Sequence, residues 1–353
     1  MLIKQKLTKR WFLGMKHTVR EIAKLAGTSP SSVSLVLNGK PGVRKEMRKK
    51  IEKILIENGY EIKGNVPDKM IRIFFVYYRS SNWILRRKDN FFARIIDGIE
   101  SACHRLNCEL TMVHANSQNV DEVLRSVTKE RADGVVFLAT EYSHSPERIS
   151  KNLSVPFVCI DRYFEEEQFE SINIANYQSH YLTIRHLMEL GHRNIGYLST
   201  KVETGALKNR REEFYRVMKK FNLDFSDKFV LYLGFLQDEA ECELEQYIRE
   251  VENLPTAFVA CNDVIAVAAM KTLQRLGWKV PEDVSIVGFD NSGICDMVNP
   301  GLTTIHADLE RMGALAVERI VQMIETEEES RLSITIGTKL ICRETTARVK
   351  RTT

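Results

Sequence analysis

The sequence predicts a small all-α helix-turn-helix head joined to an α/β body of two lobes, each a parallel sheet with flanking helices. Three observations predict it. Residues 18–60 carry three amphipathic helical patterns separated by Gly-containing breaks. From residue 71 onward, apolar strand-like runs alternate with helical patterns. At 353 residues the chain is long for one such sheet, and two similar lobes fit its size better.

The head is read from its ends inward. Thr18 followed by Glu21 is a capping-box pair, so a helix starts there. Val19, Ile22, Ala23 and Ala26 recur at helical spacing as one buried stripe, and Gly27 stands where a left-handed cap is wanted. Ser29 is the next N-cap and Pro30 occupies the first helical position, where a missing N–H costs nothing. Val33, Val36 and Leu37 form the buried side of helix two, and Pro41-Gly42 make a turn. Helix three covers roughly 44–58 and buries Met47, Ile51, Ile54 and Leu55.

Two short helices joined by so tight a turn, with a third completing the core, form a helix-turn-helix unit. Charge supports that reading. Residues 1–72 hold 17 Lys+Arg against 6 Asp+Glu, whereas the remainder holds 34 against 41. A basic head on an acidic body is the footprint of a chain that meets a polyanion at one end. The start of helix two presents Pro30, Ser31 and Ser32, with Ser34 and Leu35 farther along. Small polar side chains there can hydrogen-bond base edges in a major groove. Asn38 at its end and the N–H groups at its start suit phosphate oxygens. A solvated helix face would account for any one of these serines; the whole pattern favours DNA.

The linker 61–71 contains Gly64 and Pro67, which argue against more than a single helical turn. In the body, strands are expected at 71–78, 108–115, 134–139, 156–161, 193–199, 257–261 and 284–290. Helices fill the intervals, among them 91–106, 177–190 and 263–276. Ligands of such folds bind beyond the C-terminal ends of the strands. The polar residues at those ends include Thr140, Asp161, Arg162, Asn262, Asp263 and Asp290. Facing one another across a cleft, they suit a small polyhydroxylated ligand. Asn262 offers a donor and an acceptor, Asp290 accepts two bonds, and Arg210 forks onto adjacent oxygens. Asp263 reads instead as the N-cap of helix 264–276.

Other classes find little support. No apolar run approaches a membrane span. Seven scattered cysteines with no Cys-x-x-Cys pair fit a reducing, cytoplasmic setting. No phosphate loop, Gly-x-Ser-x-Gly elbow or metal-ligand spacing is present, so no catalytic residue, metal or cofactor is expected.

The stretch "TVREIAKLAGTSPSSVSLVLNGKPGVRKEMRKKIEKILIENGY" resembles the DNA-binding head of the LacI/GalR family of bacterial repressors. "HLMELGHRNIGYLS", "LPTAFVACNDVIAVAAMKTLQRLGWKVPEDVSIVGFDN", "LTTIHADLERMG" and "LICRETT" resemble that family's effector domain. The resemblance implies a body of the type I periplasmic-binding-protein-like kind with three crossovers between lobes. It implies Met15 as the natural start, leaving 1–14 as a disordered extension, then a head at 15–60 and a body at 72–347. Lobe one is expected at about 72–170 and 304–328, and lobe two at about 171–303 and 329–347. Expected DNA contacts are Thr18, Ser29, Pro30, Ser31, Ser32, Ser34, Leu35, Asn38 and Arg44. Leu35 replaces an arginine that often reads guanine in the family, and leaves only apolar contact to a thymine methyl. Arg44 stands where the family usually has a Ser or Thr cap.

Expected effector residues are Phe92, Asp161, Arg162, Arg210, Asn262 and Asp290, with Phe91-Phe92 where the first lobe often contributes an aromatic. The implied protein is a homodimeric repressor on a palindromic double-stranded DNA operator, without membrane contact. A sugar or sugar phosphate would act as effector by closing the lobes and resetting the heads. Two other readings stay open: a solute-binding sensor without DNA function, and a regulator governed by a protein co-repressor.

Overall fold

The computed structural model describes residues 17–40, 42–60, 70–80, 90–145, 147–162, 169–223, 226–326 and 330–350. The expected extension 1–14 and most of the linker, with Gly64 and Pro67, lie outside the described residues. Two compact units emerge: residues up to Arg72 with Cys103–Glu109, and Ile73–Ala102 with Leu110–Thr353.

The head is three helices, α1 (Val19–Ala26), α2 (Pro30–Leu37) and α3 (Lys45–Glu57). Thr18 makes the full capping box with Glu21, and Gly27 closes α1 at φ 71° in the left-handed region. Ser29 caps α2, its hydroxyl accepting from the Ser32 N–H. Ile22, Ala23, Ala26, Val33, Val36, Ile51 and Leu55 form a closed core, with Met47, Ile54 and Leu37 packed at its margin.

The body mostly alternates strand and helix, as a mainly parallel architecture requires, with its last strand antiparallel to its neighbour. In order these are β1 (Ile71–Tyr78), α4 (Asn90–Arg105), β2 (Cys108–Ala115), α5 (Val120–Lys129), β3 (Gly134–Leu138), α6 (Glu147–Ser150), β4 (Phe157–Ile160) and β5 (Ser171–Ile174). Next come α7 (Asn176–Glu189), β6 (Ile195–Thr200), α8 (Gly205–Lys220), β7 (Val230–Leu233), α9 (Gln237–Glu250), β8 (Ala257–Ala260), α10 (Asp263–Arg275) and β9 (Ser285–Phe289). The chain closes with β10 (Thr303–Ala307), α11 (Leu309–Thr326), β11 (Ser333–Ile336) and β12 (Thr338–Ile341). Two six-stranded sheets result, ordered β11-β5-β4-β3-β1-β2 and β12-β10-β9-β8-β6-β7. Strands covered on both faces read as unbroken apolar runs, and all of "GVVFL" in β3 is buried.

The crossings between sheets fall after Ile174, after Ala307 and after Ile336. The lobe boundaries expected at about 170/171 and 303/304 are therefore four residues early, and the one at about 328/329 is eight early, so that β11 belongs to the first lobe. The cause is that β5, β10 and β11 close their sheets before the chain leaves. β5 and β11 are four-residue strands near or at an edge, too short to show a period. β7, β10 and β12 were likewise missing from the expected strands.

Among the described residues, no helix is long and apolar enough to cross a membrane.

Candidate functional site

In the head, Thr18, Ser29, Pro30, Ser31, Ser34, Asn38 and Arg44 are exposed, whereas Ser32 and Leu35 are half-buried. Several of these groups already have local work. The Thr18 hydroxyl is engaged with Glu21, and the Ser29 and Ser32 hydroxyl oxygens lie 3.0 Å apart. Asn38 folds back so that its Nδ2 donates to the Ser34 carbonyl at 2.9 Å. Ser31 is left on the open face of the first turn of α2. Arg44 stands at the N-cap of α3 but makes no side-chain cap bond, since a guanidinium has no acceptor to offer the free N–H groups. Its charge points to solvent instead. Leu35 lies beside the Gly42 backbone, where a Cβ added to that glycine would sit 3.6 Å from Leu35 Cδ1.

In the body a cavity of about 360 Å³ opens at the C-terminal ends of the strands of both sheets. The first sheet contributes Thr140 after β3 and Asp161 after β4, with Phe91 from the first turn of α4. The second contributes Arg210 from α8, Asn262 and Asp263 after β8, and Asp290 after β9. Phe235 and Gln237, beyond β7, complete the far wall with Ser292 and Ile294. Asp161 and Asp290 hold positive φ, 60° and 105°, which turns each strand end sharply toward its loop.

Arg210 is the most constrained of these residues. It is 4 % exposed. Its Nη1 donates to the Cys261 carbonyl at 2.5 Å and its Nε to Asn176 Oδ1 at 3.3 Å. The guanidinium lies flat on Phe289, and Nη1 stands 3.7 Å from Asp290 Oδ1. Asp161 is 3 % exposed, and burial lifts its carboxyl pKa to about 6, opposed by the Thr140 hydroxyl and the Arg210 charge.

Asn262, not Asp263, caps α10: its Oδ1 accepts from the Ile265 N–H at 2.9 Å. The expectation for Asp263 is corrected accordingly. Its carboxylate is buried and accepts from Thr304 Oγ1 at 2.5 Å, Ser292 N at 2.7 Å and Ser292 Oγ at 2.9 Å. Burial pushes its pKa up and these donors hold it down. Asp263 thus anchors the 290–294 loop, while Asn262, its Oδ1 engaged in the cap, lines the cavity.

Asp161, Arg210, Asn262 and Asp290 are brought together as expected from the sequence; Phe92 and Arg162 are not. Phe92 packs with Phe75 and Tyr77, at 5.9 and 5.1 Å between ring centroids, and its neighbour Phe91 faces the cavity. One residue along a helix is a rotation of about 100°, which sends adjacent side chains to different faces. Arg162 donates to the Tyr142 carbonyl at 2.5 Å and packs over Gly205. Phe235 and Gln237 were missed because β7 was missed, and a strand end is invisible without its strand.

Two family matches coincide with these two parts. Residues 18–61 match bacterial regulatory proteins of the lacI family, and residues 184–346 match the periplasmic binding protein-like domain. The HTH-type transcriptional repressor PurR of Pasteurella multocida (strain Pm70) is 29% identical over 332 residues, covering 93% of this chain and 98% of that protein. The repressor of the same name from Vibrio vulnificus (strain CMCP6) is 28% identical over 337 residues, covering 94% and 99%. Among solved structures, the transcriptional regulator CelR–cellobiose complex superposes with a TM-score of 0.70 at 23% identity, covering 94% of this chain and all of that one. The lac repressor dimer bound to operator and the anti-inducer ONPF gives 0.69 at 20% identity, covering 94% and 99%. A regulator from Enterococcus faecium with bound ribose gives 0.66 at 22%, covering 78% and 100%. At these identities the structural likeness is one of fold.

Proposed function

The chain belongs to the LacI family of bacterial transcriptional regulators, and from that premise we propose that it is a homodimeric repressor released or tightened by a neutral polyhydroxylated effector. As a family member it is a DNA-binding regulator and not an enzyme. In this reading the head spans 15–60, the linker 61–71 and the body 72–347. Ser31, Ser34 and Leu35 face bases, while Thr18, Ser29, Pro30, Ser32, Asn38 and Arg44 serve the backbone. Two heads related by a two-fold axis suit a palindromic operator.

The observation that carries the effector reading is the pairing of Arg210 and Asp290 beside the Asn262 amide at the cavity wall. Together they supply donors and acceptors of the kind that neighbouring hydroxyls use. Among the described lining residues three carry carboxyl groups and one a guanidinium, a balance that disfavours an anionic ligand. Of the two ligands suggested by the sequence, a neutral sugar therefore fits better than a sugar phosphate.

One observation favours a second reading. Phe91 and Phe235 each line the cavity, one from each lobe. Such walls also suit a flat nitrogen heterocycle.

The test begins with selection from a random duplex pool by residues 15–353, followed by titration of the recovered duplex against salt. The expected result is an approximate palindrome with a slope of log K against log salt of about −5 to −9, for roughly six to ten phosphate contacts. The same duplex then serves to screen cellobiose, ribose, sugar phosphates and nucleobases for a change in affinity. No enriched sequence would reject the repressor reading. A response confined to nucleobases would replace the polyol by the heterocycle.

A further inference from the structure

Arg94 lies on α4, one helical turn beyond Phe91, and does not line the cavity. It reaches instead to the opposite lobe. Its Nη1 donates to the carbonyl of Asp290 at 3.3 Å and its Nη2 to the carbonyl of Ala307 at 3.1 Å. The first acceptor belongs to the residue whose carboxylate faces Arg210 in the cavity. The second ends β10, the last residue of the second sheet before the chain crosses into α11. Arg94 Nε also stands 3.7 Å from Glu310 Oε1, on the first turn of α11.

The base of this strap is tightly packed. At Gly98 a Cβ would sit 1.9 Å from the Glu310 carbonyl oxygen, and at Gly313 one would sit 2.2 Å from the Ile95 carbonyl oxygen. α4 and α11 therefore cross backbone against backbone, and α11 packs on β3, β4 and β5 of the first sheet. Arg94 moves with the first lobe while both its carbonyl acceptors move with the second. Asp290 holds a left-handed φ of 105°, a conformation that a side chain other than glycine keeps only when its surroundings fix it.

We propose that Arg94 is a positioning residue that couples filling of the cavity to the setting of the two lobes. It does so by holding the backbone of Asp290 and the end of β10 from across the cleft. The proposal rests on the reading of the cavity as the effector site. Hydrogen bonds made in only one arrangement of the lobes bias the free chain toward that arrangement. A ligand that draws on the Asp290 carboxylate then acts on a residue whose backbone already reports the other lobe. The shift it produces is limited by the difference in its affinity for the two arrangements.

The full chain is compared as wild type, R94K and R94A. Deuterium exchange reads the amides of 286–292 and 303–308, with β3 and β8 as internal references. At least fivefold faster exchange is expected in both rim segments of R94A, a smaller rise in R94K, and no change in the reference strands. The ligand-free chain's affinity for the selected duplex is expected to change about fivefold or more in R94A, with partial rescue in R94K. Rim exchange and operator affinity both unchanged would overturn the proposal. So would faster exchange throughout the body with operator affinity unchanged, because Arg94 would then only support the fold. Neither arm needs an effector. Failure of every sugar and nucleobase in the screen counts against the cavity reading, while these two arms still decide the role of Arg94.

Discussion

The guanidinium carbon of Arg210 lies 3.5 Å from the centroid of the Phe289 ring, and the same guanidinium faces Asp290, the next residue along the chain. One arginine on α8 thus covers the last residue of β9 and pairs with the first residue beyond it. The strand end and the helix face are fixed against each other by that single side chain. In R210M the Cys261 carbonyl loses the 2.5 Å donor and Asp290 its counter-charge. The expected cost is about 1–3 kcal/mol in urea unfolding. Any effector found to shift wild-type operator affinity is expected to lose that effect, while ligand-free operator binding persists.

Asp161 predicts a pH dependence of stability. Its folded pKa, raised to about 6 by burial, exceeds the ordinary carboxyl value, so the folded state binds more protons in the window between. Stability is therefore lost as pH rises from about 4 to about 6, and the loss is complete above that. The full difference amounts to about 3 kcal/mol at pH 7. D161N is expected to be more stable than wild type at pH 7 and to lose that advantage at pH 4. Urea midpoints across this range give the answer; an advantage independent of pH would reject the assignment.

Asp263 holds the 290–294 loop through the Ser292 N–H and hydroxyl, which both donate to Oδ2, while Thr304 on β10 donates to Oδ1. D263N keeps one acceptor oxygen and turns an N–H group toward the remaining donors. A cost of about 1–3 kcal/mol is expected, together with weaker effector binding, because Ser292 and Ile294 line the same cavity. Calorimetric titration with the identified effector, beside a thermal melt, separates the two effects.

Gly98 carries a prediction opposite to helix propensity. Ala within a helix normally gains about 1 kcal/mol over Gly. Here the added Cβ meets the Glu310 backbone at 1.9 Å, which cannot yield as a flexible side chain would. G98A is expected to cost about 1–3 kcal/mol by forcing the helices apart. Its operator affinity is expected to change in the same direction as that of R94A, since the crossing carries the strap.

The head was legible almost to the residue. Thr18, Gly27, Ser29 and Pro30 mark helix ends by local chemistry, and the buried stripes repeat within a few turns. Two body strands match their expected ranges: β1, covered on both faces, reads as an apolar run, and β2 matches although it lies at the sheet edge with only its last residue buried.

Sequence by itself determined the three helices of the head, its basic charge, seven of the body strands, and the strand ends that bring Asp161, Asn262 and Asp290 to the cavity. Tertiary structure decided which neighbour faces inward, placing Phe91 rather than Phe92 in the cavity. It also decided that Asp263 anchors a loop, that Phe235 completes a wall, and that Arg94 reaches the far lobe. Periodicity and capping act within a few residues, so they can be read along the chain. Arg94 and Asp290 are 196 positions apart, and only the packing of two sheets and a backbone-tight helix crossing brings them together.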